Sequence, residues 1–246
     1  MRLLGLDLET TGLDTAKDDI VEIAIVLNEW GVDRPLLVES YLVNTDKKIA
    51  PEITNINGIS NNLVNEFGRD FGWVVQRLEE ICSEHKVDYI VAHNGENFDK
   101  PFLLRKIGQH NLAPTNLCRT PWIDTRSDVE FPSSIKSRSL IHLAADHDFL
   151  NPFPHVAFGD VLTMFKVLAR YDIDTIVTRS KSPWLTVKAE VSYEDRQLAK
   201  DRRYFWENIG DKHYKKSWVK RVKKCDFDLE KEEAPFKITV LEGATG

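Results

Sequence analysis

The first residues of this chain combine an apolar strand with two acidic side chains at its end. Four leucines between residues 3 and 8 form a run of the kind found in strands that are covered on both faces. Asp7 and Glu9 stand two positions apart, and residues i and i+2 of a strand share a face. Two neighbouring carboxylates repel each other at neutral pH unless a positive charge, most often a divalent cation, lies between them. A D-x-E pair alone is usually a solvated strand edge or turn, but the flanking leucines favour a buried strand of an α/β sheet with a metal site at its end.

The turn that follows this strand is Thr10-Thr11-Gly12-Leu13. It supplies hydroxyl groups, backbone donors and a flexible glycine next to the two carboxylates. A site at this position could hold a metal and also contact a substrate. The plainer interpretation, that both threonines only form the turn, stays open.

Composition limits the class of protein. The chain has 246 residues, a net charge of -6 and 42% hydrophobic residues, which indicates a globular protein with one substantial core and a small appendage. Its three cysteines are widely spaced, so neither a disulfide framework nor a zinc site is indicated. No apolar run approaches the roughly 20 residues of a membrane span. The first strand leaves no room for a signal peptide, so we expect a cytoplasmic protein without a membrane partner.

The order of elements predicts a mixed sheet flanked by helices. Strands are predicted at residues 2–8, 19–28, 36–44, 89–92 and 122–125, and helices at 68–85, 99–108, 139–146 and 157–171. A link at 174–183 separates this domain, 1–178, from a small basic α+β domain at 184–224. The remaining residues, 225–246, read as an acidic tail that is loosely held apart from a possible strand at 236–241.

Two further motifs place acidic residues at the starts of helices. One runs from His93-Asn94 to Asp99, and the other runs from His155 to Asp160. Together with the opening pair, they resemble the three motifs of the DEDDh 3'-to-5' exonucleases of the DnaQ-like superfamily, in order and spacing over about residues 2–170. A segment at 55–60 is similar to the family's "IHGIT" segment, with Asn57 in place of its His.

The resemblance implies an RNase H-like mixed five-stranded sheet flanked by helices, an α/β fold, with a small C-terminal α+β appendage. It implies two Mg²⁺ or Mn²⁺ ions, with Asp7 bridging both, Glu9 and Asp160 on the ion that activates water, and Asp99 on the second. His155 is then the general base, and Val156 stands where the sister subfamily has Tyr. The implied substrate-binding residues are Thr10, Thr11, Gly12, Leu13, His93 and Asn94. For Asn94, orientation of Asp99 and helix capping remain equally good interpretations.

The implied activity is hydrolysis at DNA 3' ends with release of nucleoside 5'-monophosphates. An RNA 3'-end exoribonuclease and an inactive nucleic-acid-binding module are the alternatives. A polymerase or another replication protein is a candidate partner.

The basic segment suggests a second contact with nucleic acid. Residues 185–224 contain 12 Lys or Arg and 6 Asp or Glu, with several aromatic residues between them. Cations and aromatic faces together are typical of nucleic-acid grooves. We expect the aromatic residues to form the core of this small domain and its lysine-rich edge to hold the substrate strand or a replication partner.

Overall fold

The computed structural model describes residues 1–209 and 216–241. The chain divides into two compact units, Met1–Ser180 and a second that starts at Lys181. Each unit has its own sheet and its own core. Within the two described stretches, no helix has the length and apolarity of a membrane span.

The first unit is built on a mixed five-stranded sheet, as predicted. Its strands are β1 (Arg2–Thr10), β2 (Ile20–Glu29), β3 (Leu37–Leu42), β4 (Tyr89–Ala92) and β5 (Trp122–Asp124). They lie in the order β3-β2-β1-β4-β5, with β1 antiparallel to β2 and parallel to β4. The leucine-rich strand is therefore central.

Helices cover both faces of this sheet. They are α1 (Pro51–Asn57), α2 (Asn61–Phe67), α3 (Phe71–Glu84), α4 (Asp99–Gln109), α5 (Thr115–Arg119), α6 (Thr125–Asp128), α7 (Leu140–Asp146), α8 (Ala157–Leu168) and α9 (Ile173–Ser180). The core on one face takes its side chains from α3 and α4, and the core on the other face from α8 and α9.

Strand β1 alternates between these two cores. Leu4, Leu6 and Leu8 point into the core with α3 and α4, whereas Leu3 points into the core with α8. Gly5 lies on the same face as Leu3, and a Cβ there would overlap side chains of α8. The missing side chain lets α8 approach the strand closely. The odd-numbered residues of β1 thus face α8. They include Asp7 and Glu9, the two predicted metal ligands on this strand.

The first unit departs from the sequence predictions in its short helices, and α5 and α6 are two that were not predicted. Helices α1 and α2 occupy a stretch for which no element was predicted; Gly58 ends α1 at φ 77, and Ser60 caps α2 by accepting from Leu63 N–H. The predicted link at 174–183 begins with a helix instead, because Ile173 and Ile176 of α9 are buried in the core with α8. Short amphipathic helices of this kind depend on tertiary packing rather than on their own propensity.

In its described residues, the second unit has a four-stranded antiparallel sheet and two α-helices. Its elements are β6 (Trp184–Glu190), α10 (Arg196–Asp201), β7 (Phe205–Asn208), β8 (Lys216–Lys223), α11 (Phe227–Glu233) and β9 (Lys237–Val240), and the strand order is β7-β8-β6-β9. Near its core, Glu230 accepts hydrogen bonds from Arg202, Tyr204 and Lys220.

The prediction of a loose acidic tail from residue 225 is wrong for the described part of that segment. The possible strand at 236–241 is present as β9, which pairs with β6 and buries Ile238 in the core of the second unit. Helix α11 supplies Glu230 to the polar cluster. The acidic composition of this segment indicated a loose tail, because only a few of its residues face inward. Residues 242–246 lie outside the described chain.

Candidate active site

Three of the predicted carboxylates meet where β1 ends against the first turn of α8. Asp7 and Glu9 project from the face of β1 that α8 covers, and Asp160 lies in the first turn of that helix. One oxygen from each of the three lies within 4.8 Å of the others, a spacing that could hold a metal ion.

Asp99, the fourth predicted carboxylate, is joined to this group through the backbone of β1. It begins α4, is 2% exposed, and its Oδ1 accepts a hydrogen bond of 3.1 Å from Leu8 N–H. Leu8 is the residue between the opening pair, so the bond fixes α4 to the acidic end of the strand. Burial and then neighbouring carboxylates raise the pKa of Asp99 to about 7, against hydrogen bonds that lower it.

The electrostatics of the cluster are those of uncompensated negative charge. Burial raises the pKa of Asp7 well above its ordinary value, and Asp99, Glu9 and Asp160 raise it further. Burial likewise raises the pKa of Glu9 to about 7. A divalent cation would remove this repulsion, and the donor set of carboxylate oxygens suits a hard ion such as Mg²⁺ or Mn²⁺.

Two asparagines that the sequence analysis did not assign to the site hold its carboxylates. Asn57 Nδ2 donates to Glu9 Oε2 at 3.1 Å, and Asn151 Nδ2 donates to Asp160 Oδ1 at 2.5 Å. Asn57 occupies the position where the resembling family has His, so a sequence signal existed for it. Nothing in the sequence pattern pointed to Asn151.

A fifth carboxylate, Glu22, lies opposite Glu9 on the neighbouring strand. The two residues are paired in the β1–β2 register, and the negative charge of Glu22 contributes to the raised pKa of Glu9. Glu22 accepts a hydrogen bond of 2.5 Å from Ser40 Oγ. Its position follows only from the pairing register, which the sequence analysis did not predict.

His155 stands at the edge of the cluster with an exposed side chain. Its backbone N–H donates to Asp160 Oδ2 at 3.2 Å. Its φ of 62 lies in the left-handed region, which is uncommon for a residue with a side chain. The loop before α8 is thereby turned so that residue 155 adjoins Asp160, as the motif spacing suggests.

The turn after β1 is held by its own side chains. Thr10 Oγ1 donates to Gly12 O at 2.5 Å, and Thr11 Oγ1 donates to Asp18 Oδ1 at 3.2 Å. A Cβ on Gly12 would lie 2.5 Å from the Asp18 carboxylate, so a side chain there would have to displace the carboxylate that Thr11 contacts. Both hydroxyls have partners within the loop, whereas Leu13 is 84% exposed at its tip.

His93 and Asn94 are tied into the protein rather than directed to the cluster. The ring nitrogens of His93 lie 2.8 Å from Thr125 Oγ1 and 2.8 Å from Arg138 O. Because both nitrogens are occupied, the predicted use of His93 in substrate binding does not fit this geometry. Asn94, at φ 70, donates its N–H to Asp124 Oδ1, and its side-chain oxygen accepts from Asn97.

Comparison with known proteins agrees with this geometry. The model of the exonuclease family RNase_T matches residues 4–168, which is more than half of the sequence, so the chain belongs to that family. The predicted resemblance to DnaQ-like 3'-to-5' exonucleases is thus confirmed.

The curated relatives are much longer proteins. The PolC-type DNA polymerase III of Mycoplasma genitalium is 35% identical over 121 residues, which are 48% of this chain and 8% of that protein. The 3'-5' exonuclease DinG of Staphylococcus aureus is 29% identical over 202 residues, which are 80% of this chain and 20% of that protein. The chain therefore spans a fifth or less of the length of these two relatives.

Two solved structures share the fold. The zinc-bound complex of E. coli exonuclease I with single-stranded DNA has a TM-score of 0.63 at 15% identity, over 90% of this chain and 62% of that chain. The nuclease domain of 3'hExo, a DEDDh family member bound to rAMP, has a TM-score of 0.58 at 14% identity, over 69% of this chain and 90% of that chain.

Proposed function

We propose that this chain is a metal-dependent 3'-to-5' exonuclease that hydrolyses DNA from its 3' end and releases nucleoside 5'-monophosphates. The observation that carries the proposal is the cluster of Asp7, Glu9 and Asp160, with Asp99 joined to it through Leu8 N–H. Hydrolysis of a phosphodiester must stabilise negative charge on the phosphoryl oxygens and on the departing 3' oxygen. A site of converging carboxylates is suited to bind the cations that this chemistry uses.

We assign these four carboxylates to two Mg²⁺ or Mn²⁺ ions. By the family resemblance, Asp7 would serve both ions, Glu9 and Asp160 would hold the ion that activates water, and Asp99 would hold the other. Such ions would supply charge stabilisation and a more acidic water. Asn57 and Asn151 act as positioning residues, since each donates a hydrogen bond to a carboxylate oxygen and restricts its rotation.

His155 is assigned as the general base that takes the proton of the attacking water. An imidazole has an unperturbed pKa of about 6.5, close to neutral pH, which suits proton transfer. The backbone bond to Asp160 keeps the residue beside the cluster, and the exposed ring can pass the proton to solvent.

The turn after β1 is assigned to the terminal nucleotide. The exposed Leu13 offers an apolar surface against a base, while Thr10 and Thr11 hold the turn in place through Gly12 O and the Asp18 carboxylate. His93 is left out of this assignment because its ring is occupied.

The preference for DNA is supported by the named relatives, a DNA polymerase III and a 3'-5' exonuclease, and by a structural neighbour in complex with single-stranded DNA. RNA remains the second candidate, because another neighbour is bound to rAMP. The polymerase relatives also support a replication protein as partner, and a cytoplasmic location fits that role.

A direct test uses 5'-labelled single-stranded DNA and RNA of the same sequence, each with Mg²⁺ or Mn²⁺. We expect stepwise shortening of DNA from the 3' end, mononucleotide products, and no shortening by the Asp7→Asn variant. Shortening of RNA alone would transfer the proposal to the RNA alternative. A wild-type protein that degrades neither strand would refute an exonuclease function and favour an inactive binding module.

A further inference from the structure

The second unit contains a pocket of about 410 Å³ between α10, the turn before it and the β7–β8 hairpin. Its lining includes the aromatic side chains of Tyr193, Trp206 and Trp218 and the cationic side chains of Arg196 and Lys200. This volume falls within the range of roughly 300–1,000 Å³ of small-ligand sites.

The aromatic lining is more exposed than the core of a small unit requires. Tyr193 is 75% exposed and Trp206 is 53% exposed, whereas Tyr204 of the neighbouring core is 2% exposed. The expectation that the aromatic residues of this segment form its core therefore fails for Trp206 and for Phe205, which is 63% exposed. Tyr214, which the expectation also included, lies outside the described residues. The rings of Trp206 and Trp218 lie 5.4 Å apart at an interplanar angle of 52°. Because half of the Trp206 side chain stays exposed, a flat ligand can reach its ring.

The cations are fixed beside these rings. The guanidinium carbon of Arg196 lies 3.9 Å from the ring centroid of Tyr193, and its Nη1 donates to Tyr193 O at 2.6 Å. Lys200 Nζ lies 5.8 Å from the ring centroid of Trp218. Cations held against aromatic faces keep positive charge next to a stacking surface.

The acidic residues next to this lining in sequence include Asp195 and Glu207. Among the described residues, no carboxylate lines the pocket. Asp195 accepts a hydrogen bond from Ser192 Oγ. Glu207 follows Trp206 on β7 and therefore points to the other face of the strand. The pocket thus favours an anionic ligand with flat rings and disfavours a cationic peptide.

We propose that this pocket binds a base of single-stranded DNA, which stacks on Trp206 and Tyr193 while Arg196 and Lys200 contact the adjoining phosphates. The inference rests on the proposed function, since it concerns the same class of polymer at a second place on the chain. Nucleic-acid grooves combine these two contacts: stacking accepts any base, and cations follow the backbone.

The test measures binding of a 5'-labelled oligothymidylate of about 16 nucleotides to the full chain in EDTA, which prevents hydrolysis. Trp206→Ala should weaken binding roughly 5- to 150-fold, the loss expected for one stacked base. Trp206→Phe, which keeps a ring, should restore most of the affinity. Trp73→Ala is the matched control, because Trp73 is 46% exposed, packs 5.2 Å from Tyr41 and has Arg69 5.3 Å from its ring, but lies in the first unit.

Charge and base contributions are separated by two further measurements. Arg196→Gln should lower the slope of log affinity against log salt by about 0.7, the value for one phosphate contact on a single strand. An abasic oligomer of the same length should bind the wild type more weakly than oligothymidylate does. Equal binding of both, or equal losses in Trp206→Ala and Trp73→Ala, would overturn the proposal. Tighter binding of polyglutamate would assign the pocket to an acidic protein segment and would overturn it as well.

Failure of this inference can be distinguished from failure of the proposed function. The p-nitrophenyl ester of thymidine 5'-monophosphate offers a phosphodiester with a single base, and its hydrolysis with Mn²⁺ reports the carboxylate cluster. We expect Trp206→Ala to hydrolyse it like the wild type. If the wild type hydrolyses the ester while Trp206→Ala binds oligothymidylate normally, the pocket proposal alone is wrong. If the wild type does not hydrolyse it, the proposed function is in doubt whatever the binding result.

Discussion

Replacing Glu9 by Gln should stabilise the metal-free protein at alkaline pH, although it removes a proposed metal ligand. Burial raises the pKa of Glu9 from its ordinary value of 4.5 to about 7. Below pH 4.5 the group is protonated in both the folded and the unfolded state. As pH rises through 7, the folded state must ionise a carboxylate among other carboxylates, so stability is lost.

The magnitude follows from the size of the pKa change. A pKa shift of this size corresponds to a free-energy cost of roughly 3 kcal/mol for ionising Glu9 in the folded state. Residual solvent contact and relaxation of the site reduce this cost to about 2–3 kcal/mol. Gln is neutral and keeps a side-chain oxygen that can accept the hydrogen bond from Asn57. We therefore expect Glu9→Gln to gain about 2–3 kcal/mol of unfolding free energy near pH 8 and almost none near pH 4.5.

The assay is urea unfolding in EDTA at these two pH values. Because the chain has two compact units, hydrogen exchange of peptides from β1 should follow the first unit separately. Added Mg²⁺ should stabilise the wild type more than the variant, since binding to the folded state alone adds to stability.

Glu39→Gln is a matched control with the opposite sign. Glu39 accepts hydrogen bonds from Arg77 at 2.6 and 3.0 Å, and these hold the pKa of Glu39 below its ordinary value. Its ionised form therefore stabilises the protein at neutral and alkaline pH, and this contribution is lost as pH falls through the folded-state pKa. The variant should lose stability near pH 8 and approach the wild type in acid. If Glu9→Gln is no more stable than the wild type near pH 8, or gains as much near pH 4.5, then burial beside other carboxylates does not destabilise the ionised form of Glu9.

Three further substitutions test other parts of the site. His155→Gly should lower kcat about 10²- to 10⁴-fold, and glycine is the chosen replacement because it accepts the φ of 62 at this position. Added imidazole should restore part of the lost kcat, and absence of this rescue would argue against a general base. Asn57→Ala should lower kcat/KM about 10- to 100-fold in steady-state assays, since it removes the hydrogen bond that orients the Glu9 carboxylate. An unchanged kcat/KM would leave Asn57 a structural residue. Leu13→Ala should raise KM for oligonucleotides while leaving both kcat and the melting temperature unchanged, because an 84% exposed side chain contributes little to folding. An unchanged KM would contradict the assignment of Leu13 to the terminal nucleotide.

Much of the central sheet could be predicted because its signals are local. The apolar run of β1 and the i, i+2 spacing of Asp7 and Glu9 depend only on neighbouring residues and on strand geometry. Asp99 and Asp160 stand at helix starts, which the sequence also marks. The positions of these four carboxylates follow from element order.

The residues that orient the carboxylates could not be predicted from local patterns. Their positions depend on the pairing register of the strands and on contacts between residues far apart in the sequence. Glu22 adjoins Glu9 only through the pairing of β1 with β2, and Asn57 reaches the same carboxylate from 48 positions away. His93 shows the converse: its motif position suggested a substrate contact, but Thr125 and Arg138 occupy its ring. Hydrogen-bond partners of this kind are fixed by tertiary structure, and no local pattern encodes them.

The second unit shows the same limit in its aromatic residues. Composition indicates that aromatic and cationic residues alternate there, but it cannot say which face of a four-stranded sheet the helices cover. Tyr204 packs against Phe236 in the core, whereas Trp206, two positions later, faces an open pocket beside Arg196 and Lys200. One segment thus contributes both a folding contact and a surface for stacking. Substitution at position 204 should therefore lower the stability of the unit, and substitution at position 206 should change what the unit binds.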